Sequence, residues 1–256
     1  MVGVCRLCGR ETELAESHVL PKWMFKDMRD ASDRHRMAEL KIGEKAGIRI
    51  TQDGPTQPLL CQSCDNSFSD IERYAERFLT QKVLPRVQEP ISLQYRALGF
   101  RPVDYEKLKL FWILNLFRMS IAQLSYFREV RLDRSCEADL KTMLLDRDPG
   151  SESVFAVTAL LPVDETAGLG KVFNKALSQI VLMPSVISWE GATIVRLVCA
   201  GLAWAIFVRE APKRRFISLR EEGKFLVFPR NLRDIPFLSG TLTTGKSVFK
   251  RALTRL

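Results

Sequence analysis

Two Cys-X-X-Cys pairs constrain this chain more than any other feature of its sequence. The first pair is Cys5 and Cys8, and the second pair is Cys61 and Cys64. Each pair brings two thiols close together, and two pairs supply the four ligands of a tetrahedral zinc site. A single pair on a βαβ unit would indicate a redox motif, but no βαβ pattern surrounds these pairs. We therefore predict a structural zinc ion bound by all four cysteines; the alternative is that the pairs are unrelated reduced thiols.

The other cysteines favour a reducing compartment. Cys136 and Cys199 are solitary, and Cys199 lies in an apolar run that is typical of a small buried residue. This pattern requires no disulfide, and the stretch from Met1 to Cys8 is too short and too polar to provide the apolar region of a signal peptide. We expect a cytoplasmic protein.

Composition and charge indicate a globular protein with a polyanionic partner. The chain has 256 residues, of which 46% are hydrophobic and 27% are charged, and this is enough to bury a core. The formal net charge of +9 favours phosphate contacts with nucleic acid. Polar residues interrupt the apolar run after Asp104, which predicts a buried core helix from Asp104 to Arg128 and no contact with a membrane. Arg118 in this helix is expected to form a partly buried ion pair; a phosphate contact is the alternative.

His18 is one of only two histidines and lies between the cysteine pairs. Because four thiolates complete a zinc site, this histidine is free for another role. Residues 14–20 are predicted to be extended, and Pro21 is expected to begin a helix that continues to Arg36. The other histidine, His35, has charged neighbours and is expected at the surface.

Together these motifs resemble the HNH endonuclease family, whose catalytic module is called ββα-metal, in its form with a zinc knuckle. The resemblance rests on the two cysteine pairs, on Ser17-His18-Val19-Leu20-Pro21-Lys22 and on Leu59-Leu60-Cys61-Gln62-Ser63-Cys64-Asp65. Together with Gln52-Asp53-Gly54, the motifs are similar to those of a group of uncharacterised bacterial HNH-like proteins. The resemblance covers residues 5–80, and residues 114–120 and 130–132 are more weakly similar.

The resemblance implies a metal-dependent endonuclease that hydrolyses phosphodiester bonds, with a role in phage defence, restriction or mobile-element biology. In that family the histidine activates a water molecule as general base, while a divalent ion polarises the phosphate; His18 would be this base. Asp65 stands where the family often has a metal-binding histidine, and its carboxylate suits Mg²⁺ or another hard divalent ion. Ser17 stands where the family often has a metal-binding aspartate, so Glu16 or Asp53 would have to supply that ligand.

Two alternatives to the nuclease remain. The first is a catalytically degenerate, zinc-stabilised module that binds nucleic acid or protein, in which His18 only forms a hydrogen bond within the fold. The second is a nucleotide-binding site, because residues 240–247 match the Walker A pattern. Pro236 interrupts the strand that such a loop requires, so we predict that ATP and GTP do not bind there.

The expected architecture is α+β, with a small N-terminal zinc-binding ββα-metal module followed by helices and an antiparallel sheet. We predict two domains: residues 1–88 form the zinc module, and residues 89–256 form an α+β domain with long helices over 104–146 and then mainly antiparallel strands. A helix is expected from Asn66 to Val83, with Asp65 at its start. DNA is the expected partner, and a homo-oligomer or an effector protein is a further candidate. The candidate contacts to nucleic acid are Lys22, Lys213, Arg214 and Arg215.

Overall fold

The computed structural model describes residues 1–29, 37–41, 47–81, 98–99, 102–163, 179–211 and 217–235. Several predictions fall outside these segments: the basic residues Lys213, Arg214 and Arg215, the Walker A match at 240–247, the surface position of His35, and the domain boundary after residue 88. These therefore stay predictions. Within the described segments the protein is a mixed α+β structure.

The N-terminal part contains two small antiparallel sheets and two helices. Its elements are β1 (Val2–Val4), β2 (Glu11–His18), a 3₁₀ helix (Lys22–Met28), β3 (Met37–Lys41), β4 (Gly47–Thr51), β5 (Thr56–Cys61), α1 (Gln62–Asn66) and α2 (Ser69–Gln81). Strand β2 lies between β1 and β5, and β3 pairs only with β4. The order β2, β5, α1 and α2 places two antiparallel strands directly before the helices.

Two helix predictions in this part were wrong in their bounds. The helix after Pro21 is a 3₁₀ helix that ends at Met28, because Arg29 is extended (ψ 141) and its guanidinium binds the carboxylate of Asp53. The helix expected from Asn66 starts at Gln62, since the second cysteine pair itself forms the first turn. It is interrupted after Asn66, where the hydroxyl of Ser67 donates to the carbonyl of Cys64 at 2.7 Å.

The central part contains a short strand and two helices: β6 (Leu98–Gly99), α3 (Tyr105–Ile121) and α4 (Arg134–Asp146), with a 3₁₀ turn (Ser125–Phe127) between the helices. The predicted N-cap Asp104 is confirmed, because its carboxylate accepts from the backbone N–H of Lys107 at 3.0 Å. Helix α3 stops at Ile121 and does not reach Arg128. The guanidinium of Arg131 donates to the carbonyls of Ser120 and Ala122 and so satisfies the helix end.

Helix α3 is buried on nearly all sides, so its polar side chains need internal partners. The ammonium group of Lys109 donates to the carbonyls of Val154 and Phe155, at 2.5 and 2.9 Å. Burial lowers the pKa of Lys109 to about 7. The amide of Asn115 donates to the carbonyl of Phe111 at 2.7 Å. In the part of the chain that the structure describes, no helix is long and apolar enough to cross a membrane.

The C-terminal part adds β7 (Val157–Val163), β8 (Leu182–Trp189), β9 (Ala192–Cys199), β10 (Leu202–Phe207), β11 (Leu219–Arg220) and β12 (Lys224–Asn231). The strand order in the sheet is β11-β12-β7-β10-β9-β8, and β6 pairs with β12. The predicted turns at Glu190-Gly191 and at Gly201 are confirmed: both hairpins have two-residue loops in which both residues have positive φ.

The large sheet is mainly antiparallel, in line with the prediction, and contains one parallel pair. Strand β12 runs parallel to β7, with Phe228 opposite Leu160, and the other pairs are antiparallel. Strand β7 thus has β10 on one side and β12 on the other, and six of its seven residues are buried. An almost continuous apolar strand of this kind suits the centre of a sheet that is covered on both faces.

One hydrophobic cluster connects the three parts of the chain. It includes Cys5 and Leu60 near the N-terminus, and Trp112 of α3 and Trp204 of β10, whose ring centroids are 4.3 Å apart. The ring of Phe78 in α2 also packs edge-on against the ring of Phe225 in β12 of the large sheet. Helix α3 therefore lies in contact with both the N-terminal strands and helices and the large sheet.

Candidate metal centre and histidine site

The four cysteines of the two Cys-X-X-Cys pairs lie together, as the sequence predicted. Their sulfur atoms are all within 4.8 Å of one another, and the Sγ atoms of Cys8 and Cys61 are 3.9 Å apart. Tetrahedral zinc with Zn–S distances of about 2.3 Å places its sulfur ligands about 3.8 Å apart. The same separation is far too long for a disulfide, and all four thiols are free. The donor set therefore fits a metal ion that prefers four sulfur ligands.

The backbone around Cys5 holds the first pair ready for such an ion. The N–H of Gly9 donates to the carbonyl of Cys5 at 2.9 Å, and Gly9 has a φ of 77°, which favours glycine. The N–H of Cys61 donates to the sulfur of Cys5 at 3.3 Å, and the N–H of Arg6 donates to the carbonyl of Leu59. These bonds fix the turn after β1 against the end of β5, so the two pairs are preorganised.

The charge near Cys8, the least buried of the four cysteines, favours its thiolate form. Hydrogen bonding to Arg10 lowers the pKa of Cys8 to about 6. Burial raises the pKa of Cys64, so this thiol needs a cation beside it to ionise. A bound metal ion supplies that cation, because cysteine coordinates metals as the thiolate.

His18 is the last residue of β2 and lies opposite Thr56 of β5. Its side chain is half-buried, and its Nε2 atom is buried with no hydrogen-bond partner among the described residues. Burial lowers the pKa of His18 below 6.5, and the charges of Asp53 and Asp65 act against this shift. The imidazole is therefore neutral at neutral pH, and one of its ring nitrogens is buried without a hydrogen bond to any described residue.

Asp65, in α1, is held by Arg118 of α3. The guanidinium of Arg118 donates to Oδ1 of Asp65 at 2.8 Å and to Oε1 of Glu72 at 2.5 Å. Only 3% of the Arg118 side chain is exposed, whereas the two carboxylates are exposed by 24% and 28%. The predicted ion pair of Arg118 is thus confirmed. Asp65 makes this contact through Oδ1.

The other predicted site residues surround His18 without forming one cluster with it. Asp53 is half-exposed and binds Lys22 at 3.1 Å and Arg29 at 3.2 Å. Glu16 is exposed and lies two residues before His18, on the same face of β2. Among the residues that the structure describes, the four cysteines are the only group of metal-ligand side chains close enough to hold an ion. The catalytic roles of His18, Asp65, Asp53 and Glu16 stay predictions.

Ser17, the residue directly before His18, lies inside the packing of the small sheet. Its side chain is fully buried, and its hydroxyl contacts the carbonyl of Ala15 at 3.4 Å. Since neighbouring residues of a strand point to opposite faces, Ser17 faces away from His18. This residue is therefore part of the packing of the small sheet.

Sequence reasoning missed two residues of this region, Glu72 and Arg29. Glu72 follows Asp65 by seven positions, which is two helical turns, so the spacing could have indicated a shared face. Because the helix is interrupted between α1 and α2, the seven-residue spacing did not by itself predict that Asp65 and Glu72 share a partner. Nothing local connects Arg29 with Asp53, because the two residues are 24 positions apart and meet only through the fold.

Arg118→Met should lower the free energy of unfolding by about 3 kcal/mol, because it leaves two carboxylates beside a buried apolar surface without their cation. Urea denaturation at neutral pH measures this loss. The triple variant Asp65→Asn, Glu72→Gln, Arg118→Met removes all three charges and should recover most of the lost free energy of unfolding. A single variant as stable as the wild type would show that the bridge does not hold α3 against α1 and α2.

Comparisons of this chain with protein-family models, curated proteins and solved structures found no match. The arguments about function therefore rest on the residues and geometry of the chain itself. Of these, the cysteine cluster is the feature with the most complete geometry. His18 is one of six described residues with a buried polar side-chain atom that has no hydrogen-bond partner, and the only histidine among them.

Proposed function

We propose that this protein is a metal-dependent endonuclease of the HNH type, with a structural zinc ion on Cys5, Cys8, Cys61 and Cys64. The observation that carries this proposal is the buried, unpartnered Nε2 atom of His18 at the end of β2. Buried polar atoms normally have a partner, so an orphaned one indicates a place for a water molecule or a substrate oxygen. The zinc ion holds β5 and α1 in place around this position.

In the proposed reaction His18 acts as general base. Its neutral imidazole accepts a proton from a water molecule, whose oxygen forms a bond to phosphorus as the bond to the leaving sugar oxygen breaks. A divalent ion such as Mg²⁺ supplies the positive charge that stabilises the phosphate and the leaving oxygen. Asp65, whose Oδ1 accepts from the guanidinium of Arg118, would be a ligand of this ion. Asp53 and Glu16 are the remaining candidates for ion binding near the histidine.

A second candidate function is a zinc-stabilised module that binds nucleic acid or protein without cleaving it. The specific observation in its favour is that two of the three candidate carboxylates already have cationic partners, since Asp65 binds Arg118 and Asp53 binds Lys22 and Arg29. An ion at either carboxylate must compete with these pairs. In this alternative the ion pairs connect the strands to the helices, and His18 has no catalytic role.

A direct test is incubation of the purified, zinc-loaded protein with plasmid, single-stranded DNA and RNA, each with Mg²⁺, Mn²⁺ or Ni²⁺. The nuclease proposal expects cleavage of at least one substrate that depends on the added ion. Correct zinc loading with inactivity under every condition would contradict the enzyme and favour the binding module, which should instead show salt-sensitive binding.

The pH dependence of cleavage should reflect the lowered pKa of His18. A general base loses activity when it takes up a proton, and this occurs as the pH falls through a pKa that lies below 6.5. The pH at which the rate at saturating divalent ion falls to half its maximum should therefore lie below 6.5. Zinc content at each pH is the control, and a midpoint above pH 6.5 would contradict the assignment of His18 as base.

A further inference from the structure

A groove lies between the first cysteine turn and helix α4. It encloses a cavity of about 180 Å³, and its base is formed by Phe117 and Ile121 of α3. Arg6, Arg134 and Lys141 line its sides, together with the carboxylate of Glu137. We call this feature the α4 groove. Three cations and one anion give it a net positive charge.

The geometry of the α4 groove keeps its cations available to a ligand. Arg134, Glu137 and Lys141 follow one another at three- and four-residue spacing, so they share one face of α4. Arg6 lies in the turn that the cysteines fix, and its guanidinium is 3.7 Å from the carboxylate of Glu137. Because the Arg6 side chain is 49% exposed, this ion pair contributes little to stability.

We propose that the α4 groove binds the sugar–phosphate backbone of a nucleic acid, and this inference rests on the proposed endonuclease function. Arg134 and Lys141 lie about 10 Å apart along the helix, a distance that spans several successive phosphates. The net charge of +9 adds a long-range attraction for such a polyanion.

The α4 groove lies next to the ion pair between Arg118 and Asp65. Phe117 directly precedes Arg118, the residue that binds Asp65, so the groove and that ion pair flank the same turn of α3. A nucleic-acid strand in the α4 groove therefore runs beside the helix that carries Arg118, and the groove acts by positioning this strand and not by contact with the reacting atoms.

The test measures binding of the full-length, zinc-loaded protein to duplex DNA, single-stranded DNA and RNA without added divalent ions, over a range of salt concentrations. Arg134→Ala with Lys141→Ala should weaken binding by roughly tenfold or more. The slope of log K against log salt should fall in magnitude by about 2, because each lost phosphate contact removes about 0.9 from it. The matched control is Lys224→Ala, which removes an exposed lysine outside the groove and should leave both quantities unchanged.

A second variant tests the same surface by a gain of affinity, which misfolding cannot produce. Glu137→Gln removes the one carboxylate among the described residues that line the groove, and it should tighten binding several-fold, with a steeper salt dependence. Unchanged binding in both groove variants, or no binding of any nucleic acid by the wild type, would overturn the proposal. If Arg134→Ala with Lys141→Ala weakens binding but the wild type cleaves nothing, the proposed endonuclease function is refuted and nucleic-acid binding in the α4 groove is supported. If the wild type cleaves and both groove variants bind normally, the endonuclease function is supported and binding in the α4 groove is refuted.

Discussion

Cys61→Ser should release the bound zinc and unfold the N-terminal part of the chain. Cys8 and Cys61 are 53 positions apart, so the metal closes a long loop that is otherwise held only by the pairing of β2 with β5 and a few backbone hydrogen bonds among the described residues. Structural zinc sites contribute about 10–16 kcal/mol in small zinc-finger peptides, which makes the loss of one ligand severe. Because Cys5 and Leu60 belong to the same hydrophobic cluster as Trp112, the packing of α3 should loosen as well.

Two measurements check this expectation: the zinc content per chain and limited proteolysis. The variant should contain well under one zinc ion per chain, and residues 1–80 should be cleaved first. Cys136→Ser is the matched control, since Cys136 is also a buried free cysteine but lies in α4, outside the cluster. It should keep its zinc. One zinc ion retained in Cys61→Ser would refute the assignment of the four ligands.

The cysteine cluster could be predicted from sequence because its signal is local. Each Cys-X-X-Cys turn brings two ligands together by itself, and only the meeting of the two turns depends on the fold. The hairpins at Glu190-Gly191 and Gly201 were predictable for the same reason, since few residues accept positive φ. The parallel pairing of β12 with β7 was not predictable, because it depends on where the chain returns to the sheet.

The surroundings of His18 depend on contacts between distant residues. The sequence predicted an extended segment over residues 14–20, and in the structure His18 is the last residue of β2. Asp65 was expected near a metal ion, but the sequence did not indicate that Arg118 binds it together with Glu72. Arg118 is 53 positions from Asp65, and the pairing arises only because α3 packs against α1 and α2. Ion-pair partners of this kind follow from tertiary packing and not from local pattern.

His18→Ala should reduce the rate of cleavage by roughly 10²-fold or more, the usual contribution of general base catalysis. The zinc content should be unchanged, because His18 lies outside the cysteine cluster. Only a small change in stability is expected, since the side chain is half-buried and its Nε2 atom gives up no hydrogen bond within the described chain. Added Mg²⁺ or Mn²⁺ should not restore the rate, because the missing group is a base.

Asp65→Asn distinguishes an ion ligand from a base. The amide oxygen of asparagine can still accept the hydrogen bond from Arg118, so the bridge to α3 is retained while the negative charge is lost. Cleavage should fall, but excess Mg²⁺ or Mn²⁺ should partly restore it. Equal rescue of both variants, or of neither, would show that the two residues do not have the separate roles proposed here.

The most direct test of the proposed function is the single-turnover rate of cleavage by wild type and His18→Ala at equal zinc content and saturating divalent ion. The proposal predicts ion-dependent cleavage by the wild type and a loss of roughly 10²-fold or more in the variant, with identical zinc content. Cleavage by His18→Ala at the wild-type rate would contradict it, because the orphaned Nε2 atom of His18 would then have no part in the chemistry.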